Sequence, residues 1–203
     1  MPNFLPRSLS RRLQADVEYL DVRTTQKRGR ITEMLGNLLH KDSGSVQDGV
    51  GLLSSILLRY AEVGSVQYWR EQHALKFTFM IRQPQDVSSL QETLKPALEF
   101  FHHLEGQSMR LFDIACRSEE NVCVITITRD VDSMTQREVG LIVGLIKGHY
   151  RKQLLYDELY LPEDEQIFQE ERITNMLYSI HSDDIDKNVV ALREAGRVLV
   201  FKS

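Results

Sequence analysis

Two stretches of the sequence alternate between apolar and polar side chains, and each is followed by a helical pattern. The first alternation ends at Ile81 and the second at Ile127. A period of two is typical of a half-buried strand, whereas apolar residues three and four positions apart are typical of an amphipathic helix. The order strand, strand, helix therefore occurs twice, and this repeat constrains the fold more than any other feature.

Each repeat contains a hairpin. In the first, Val66 and Tyr68 lie on one arm and residues 75–81 on the other, and a helix follows from Asp86 to about Leu104. In the second, residues 112–116 face residues 123–127. A four-residue loop at 118–121 would set Cys116 opposite Cys123. The pair Ser133 and Gln136 has the capping-box spacing and predicts the start of a long helix that ends near Glu158.

The two repeats predict an α+β fold with a four-stranded antiparallel sheet made of two strand–strand–helix units. N-terminal and C-terminal helices flank the sheet, and residues 197–202 form a final short edge strand. The flanking helices are expected at 8–22, 31–40, 46–61, 163–180 and about 183–195. The chain divides into a basic helical arm (1–45), an α+β core (46–160) and a C-terminal segment (161–203) that packs on the core.

The element order over residues 46–158 is similar to that of type III secretion chaperone-like domains. This resemblance implies a dimer that binds other proteins.

Charge is distributed unevenly along the chain, although the net charge of its 203 residues is only −4. Residues 1–41 hold eight basic and four acidic side chains, and the remaining residues hold 17 basic and 25 acidic ones. We expect the basic arm to dock on the acidic body or on a second copy. The alternative is nucleic-acid binding, and the candidate phosphate contacts are Arg23, Lys27, Arg28 and Arg30.

Cys116 and Cys123 are the only cysteines. The N-terminal residues lack the apolar stretch of a secretory signal, so we expect a cytoplasmic protein with reduced thiols. Two buried, apolar thiols that react slowly are favoured over a redox pair or half of a metal site.

Recognisable catalytic motifs are absent from the sequence: it contains no phosphate loop, dinucleotide fingerprint, HExxH or GxSxG. The histidines His102, His103 and His149 lie near helix ends, where plain electrostatics explains them, so no metal or cofactor is expected. An enzyme with a dispersed site would draw on Asp113 with His149 or His103. We assign no catalytic residue.

Two surfaces are candidate interfaces. Gly140, Gly144 and Gly148 share one face of the predicted long helix, which indicates close approach of another backbone. A helix of the same chain (46–61 or 163–180) is the favoured neighbour, and a second copy is the alternative. The other surface is the sheet face that points away from the core, which carries Trp69, Met80, Leu111, Val122 and Val124. We expect terminal helices to cover that face, with a partner as the alternative.

The sequence therefore predicts a non-enzymatic protein-interaction or regulatory module that self-associates, with a homodimer as the expected state and no membrane contact. The first alternative is a nucleic-acid-binding protein that uses the basic segment. The second is an enzyme with a dispersed site.

Overall fold

An antiparallel sheet forms the centre of the computed structural model, which describes residues 17–18, 44–82, 87–119, 121–156, 161–182, 185–194 and 196–202. The strands are β1 (Val17–Glu18), β2 (Ser65–Trp69), β3 (Ala74–Arg82), β4 (Phe112–Glu119), β5 (Val122–Asp130), β6 (Leu154–Leu155), β7 (Val189–Glu194) and β8 (Arg197–Lys202). The helices are α1 (Gly44–Arg59), α2 (Ser88–Leu104), α3 (Gln136–Tyr150) and α4 (Glu163–Ser182). Short 3-10 turns cover Arg70–Gln72 and Arg151–Gln153.

The sheet is larger than the four-stranded sheet that the sequence predicts. Seven strands lie side by side in the order β1-β8-β7-β2-β3-β5-β4, and β6 pairs with the end of β3. All of these pairings are antiparallel. The predicted α+β class is confirmed. The four additional strands are the C-terminal hairpin β7–β8, which joins the sheet next to β2, and the two-residue strands β1 and β6.

One hydrophobic core lies against one face of the sheet. Its buried side chains come from α1, α2, α3 and α4 and from alternate residues of the strands, such as Val66, Phe77 and Ile125. We call this the inner face and the opposite one the outer face. The alternation in the sequence correctly identifies the inner-face positions of β2 and β3, which are fully buried at Tyr68 and Phe79.

The predicted helix at 183–195 is wrong, because residues 189–194 form strand β7. Val189 and Ala191 pair with Tyr68 and Val66 of β2, so both small apolar side chains reach the inner face. A turn at Gly196, with a φ of +73°, then reverses the chain into β8. The predicted strand at 197–202 is confirmed, although it lies between β7 and the two residues of β1.

The second hairpin is tighter than predicted. Glu119 pairs with Val122, so Cys116 lies opposite Ile125, whereas the expected four-residue loop would set it opposite Cys123. The register moves by two residues, and each side chain therefore keeps its predicted face.

The long helix α3 begins and ends elsewhere than predicted. Its cap is Thr135, whose side chain accepts a hydrogen bond from the Glu138 backbone N–H at 3.2 Å. Ser133 instead donates its hydroxyl to Asp130. The helix ends at Tyr150, where the chain enters a 3-10 turn and then β6, so the predicted extension to Glu158 is wrong.

The N-terminal predictions are mostly outside the described residues. Val17 and Glu18 pair with Phe201 and Val200 as a two-residue strand, so the predicted helix at 8–22 is wrong at these positions. The rest of that helix and the helix at 31–40 lie outside the part of the chain that the structure describes. Among the helices that are described, none combines the length and apolar character that crossing a membrane requires.

Candidate protein interface

The outer face of the sheet carries a row of apolar side chains across neighbouring strands. Met80 of β3 lies between Leu155 of β6 and Val124 of β5, and Arg117 of β4 follows Val124. Met80, Val124 and Leu155 are each half-buried. Side chains from the outer face do not take part in the core that joins the four described helices. The row is therefore not covered by any of these helices, and the C-terminal helix α4, expected to cover it, packs on the inner side.

Trp69 lies on the outer face at the opposite end from Met80. Its ring centroid is 3.1 Å from the Nζ of Lys76, an arrangement in which the aromatic face attracts the ammonium group. Burial lowers the pKa of Lys76, and the carboxylate of Asp113 opposes that shift. This end of the face thus presents an aromatic ring with a cation held against it, whereas the other end is apolar.

Leu111 has a different role from the other outer-face candidates. It precedes β4 and is half-buried. Its backbone carbonyl accepts hydrogen bonds from the Asp130 N–H at 3.3 Å and from the Arg129 guanidinium. The structure thus groups Met80 with Val124, places Trp69 apart from them, and uses Leu111 to hold the end of β4.

The glycine face of α3 is largely open. A Cβ added at Gly140 would lie 3.2 Å from the hydroxyl of Tyr60, but one added at Gly144 or Gly148 would meet nothing within 4 Å. Gly144 and Gly148 are exposed. The predicted close approach of a helix from the same chain is therefore wrong at these two glycines within the described residues.

A buried polar network joins β5 to α2 and α3. The Nε of Arg129 donates to Glu138 at 2.6 Å, and one terminal guanidinium nitrogen donates to the Ser133 hydroxyl at 3.1 Å. The Nε2 of His102 lies 3.0 Å from Glu138 and 3.1 Å from the guanidinium. Since a guanidinium only donates and a carboxylate only accepts, this nitrogen can bond to one of them at a time.

Asp130 completes this network at the end of β5. Its carboxylate accepts from the backbone N–H groups of Arg110 and Leu111 at 3.1 and 2.9 Å and from the Ser133 hydroxyl at 2.6 Å, and it pairs with Arg129. Burial alone raises the pKa of Asp130, but these hydrogen bonds and the Arg129 charge outweigh it and lower the pKa to about 2.

The network stabilises the fold and offers no access to a ligand. Arg129 and Glu138 are 0 % exposed and His102 is 1 % exposed. A buried cation and two carboxylates need this many hydrogen bonds simply to offset the cost of leaving water. We therefore assign the network to the attachment of α2 and α3 to the inner face of the sheet.

The two cysteines form a disulfide, so the predicted pair of free thiols is wrong. Cys116 is exposed on β4, whereas Cys123 is 1 % exposed, and the expectation that both are buried fails for Cys116. The reduced state was expected because the N-terminal residues lack a secretory signal, and the cytoplasmic location inferred from the same feature stays a prediction.

The residues of the hypothetical dispersed enzyme site do not come together. Asp113 points to the outer face, whereas α2 and α3, which carry His103 and His149, pack on the inner side. The Nε2 of His149 lies 3.3 Å from the Ser89 hydroxyl. In the described part of the chain, no group of three or more His, Cys, Asp or Glu residues is placed to hold a metal ion. The basic residues Arg23, Lys27, Arg28 and Arg30 lie outside the described residues.

Comparison with known protein families, curated proteins and solved structures found no match. The similarity in element order to type III secretion chaperone-like domains therefore stays a prediction from the sequence. Within the described residues, the protein is an α+β protein whose four helices pack on the inner side of the sheet.

Proposed function

We propose that the protein is a non-enzymatic interaction module that self-associates and presents its outer sheet face to a protein partner. The observation that supports this most directly is the half-exposed row of Leu155, Met80 and Val124, on a face against which none of the described helices packs. A sheet face that meets only water is usually more polar than this.

The chemistry of the outer face suits a protein partner. Methionine adapts its shape to a partner because its side chain is unbranched and polarisable. Arg82 and Arg117 flank the apolar row, on β3 and β4 respectively, which gives an apolar centre with a charged border. Interfaces between proteins commonly have this arrangement. A partner that offers a small apolar surface with acidic residues around it would complement the face.

The two alternative functions have less support. The dispersed enzyme site would require Asp113 on the same side of the sheet as His103 or His149, whereas these histidines lie on helices that pack on the opposite side. Nucleic-acid binding would depend on the segment 23–30, which lies outside the described residues, and its test is a salt titration.

Site-specific photo-crosslinking of the full chain tests the proposal. A photo-reactive amino acid replaces Val124 on the outer face in cells that make the protein, and Glu92 on the exposed side of α2 in a control. We expect one protein adduct from position 124 and none from position 92. The substitution Met80→Lys, added to the chain with the photo-reactive residue at position 124, should abolish the adduct from that position. The ammonium group would lie in the apolar row and disfavour contact with the partner.

The substitution Thr93→Lys on α2 is the matched control for the added charge, and it should leave the adduct unchanged. The proposal is overturned if position 124 gives no adduct with a distinct protein. It is also overturned if the adduct persists at full yield in the Met80→Lys variant.

A further inference from the structure

Strand β4 is a long, exposed edge of the sheet. It is the last strand in the sheet order, and the described residues place no strand on its other side. All eight residues, Phe112–Glu119, pair with β5 without a bulge. Asp113 and the four residues 115–118 are exposed. An edge of this length without proline or bulge is a template for another strand.

The pairing with β5 determines which backbone groups of β4 point outward. Glu119 and Val122 close a two-residue turn, and the Leu111 carbonyl accepts from Asp130 N–H at the other end. Inward and outward groups alternate along an antiparallel strand. The backbone N–H and C=O groups of Asp113, Ala115 and Arg117 therefore face β5, and those of residues 112, 114, 116 and 118 face outward.

The charges on β4 favour one register for pairing with a second copy. A two-fold axis at Ala115 sets Asp113 opposite the partner subunit's Arg117, and it matches even-numbered residues with even-numbered ones, as the outward groups require. An axis at position 116 sets Asp113 opposite the partner subunit's Glu119, with like charges facing. An axis at position 113 sets Asp113 opposite the partner subunit's Asp113, and an axis at position 117 sets Arg117 opposite the partner subunit's Arg117. Like charges face each other in both cases.

We propose that two copies of the protein pair antiparallel along β4, with the two-fold axis at Ala115, and so form one continuous sheet. The inference rests on the self-association included in the proposed function and specifies its surface. At the axis, Ala115 lies opposite the partner subunit's Ala115, and these two residues exchange no hydrogen bonds with each other. Their Cα atoms approach to about 4.5 Å, and a small side chain fits there. Arg117, which already contacts Glu119 at 2.6 Å, gains a second carboxylate from the partner subunit's Asp113.

A charge-reversal cycle tests this pairing. The variants are Asp113→Arg, Arg117→Asp and the double swap, and sedimentation of the full chain gives the dimer dissociation constant. Symmetry makes each single change affect two cross-strand pairs, so we expect each to raise the constant roughly tenfold. The double swap should restore it to within about threefold of the original. Glu99→Arg on α2, an exposed carboxylate away from β4, is the control and should have no effect.

The outcomes separate this inference from the proposed function. A dimer that both single variants leave intact overturns the pairing along β4 but not self-association. A wild-type chain that is monomeric at about 100 µM overturns both, since a stable interface in which residues 112–118 of each copy pair should populate the dimer there. Weakening by both single changes without recovery in the double swap also overturns the register.

Discussion

The Nε of Arg129 donates to an Oε of Glu138 across 2.6 Å, and neither side chain has any exposed surface. Arg129 lies on β5 and Glu138 in the first turn of α3. The pair therefore joins the helix layer to the inner face of the sheet at a point that water does not reach.

Removing one partner of this pair should destabilise the protein strongly. The substitution Glu138→Ala leaves the Arg129 guanidinium buried without its main carboxylate, and we expect a loss of about 3–5 kcal/mol in the free energy of unfolding. Urea unfolding of both proteins measures the loss. Glu105→Ala removes the exposed ion pair with Arg137 and should cost less than about 1 kcal/mol. Equal losses in the two variants would contradict this account of the network.

Stability should fall in acid as Asp130 binds a proton. Its folded pKa of about 2 lies below the ordinary value of 3.8, so the unfolded chain takes up the proton first as the pH falls. The resulting stabilisation, roughly 2 kcal/mol, is fully present above about pH 5 and is lost between about pH 4 and 2.

The substitution Asp130→Asn tests this pH dependence. The variant should be less stable than the wild type at neutral pH, and the difference should shrink over the acid range. Urea unfolding at several pH values measures both curves, with the exposed Asp164→Asn on α4 as control. A difference that stays constant from neutral pH to about pH 2 would show that Asp130 does not contribute through its low pKa.

Replacing Gly144 should stabilise the protein. The position is exposed and an added Cβ meets no atom within 4 Å, so Gly144→Ala should raise the free energy of unfolding by about 0.5–1 kcal/mol. Gly140→Ala should gain less, because its Cβ would lie 3.2 Å from the Tyr60 hydroxyl. Thermal unfolding compares the two variants. Gly144→Leu should leave the oligomeric mass unchanged, and a loss of dimer in that variant would instead place a second copy on the glycine face.

Nucleic-acid binding should be absent or non-specific. A duplex or single strand that contacts the segment 23–30 would bind more tightly at low salt and weaken steeply as salt rises, because each phosphate contact releases counterions. A fluorescence titration at about 50 mM salt should show no binding below the micromolar range. Tight binding with a steep salt dependence would favour the nucleic-acid alternative and contradict the proposed function.

The hairpin β2–β3 could be predicted from the sequence because its determinants are local. The residues between Leu75 and Ile81 alternate in polarity, and Pro84 follows shortly after the strand. Strand β7 could not be predicted in the same way. Ile185, Val189 and Leu192 have helical spacing, and only pairing with β2 determines that 189–194 is extended.

The buried network has a recognisable signal in the sequence, although none of its residues is among the predicted site residues. Arg129 continues the inner-face alternation of Cys123, Ile125 and Ile127, so a charged residue stands where a core residue is expected. Such a residue requires a buried carboxylate, and Glu138 follows in the first turn of the next helix. The hairpin register at β4–β5 had no comparable signal, because a turn of two residues and a loop of four give the same faces.

The native mass of gently purified full-length protein tests the central claim most directly. Self-association predicts a species of twice the 23.5 kDa chain mass with nothing else bound. A chain that stays at 23.5 kDa, or one that carries the added mass of a small ligand, a metal or nucleic acid, would contradict the account.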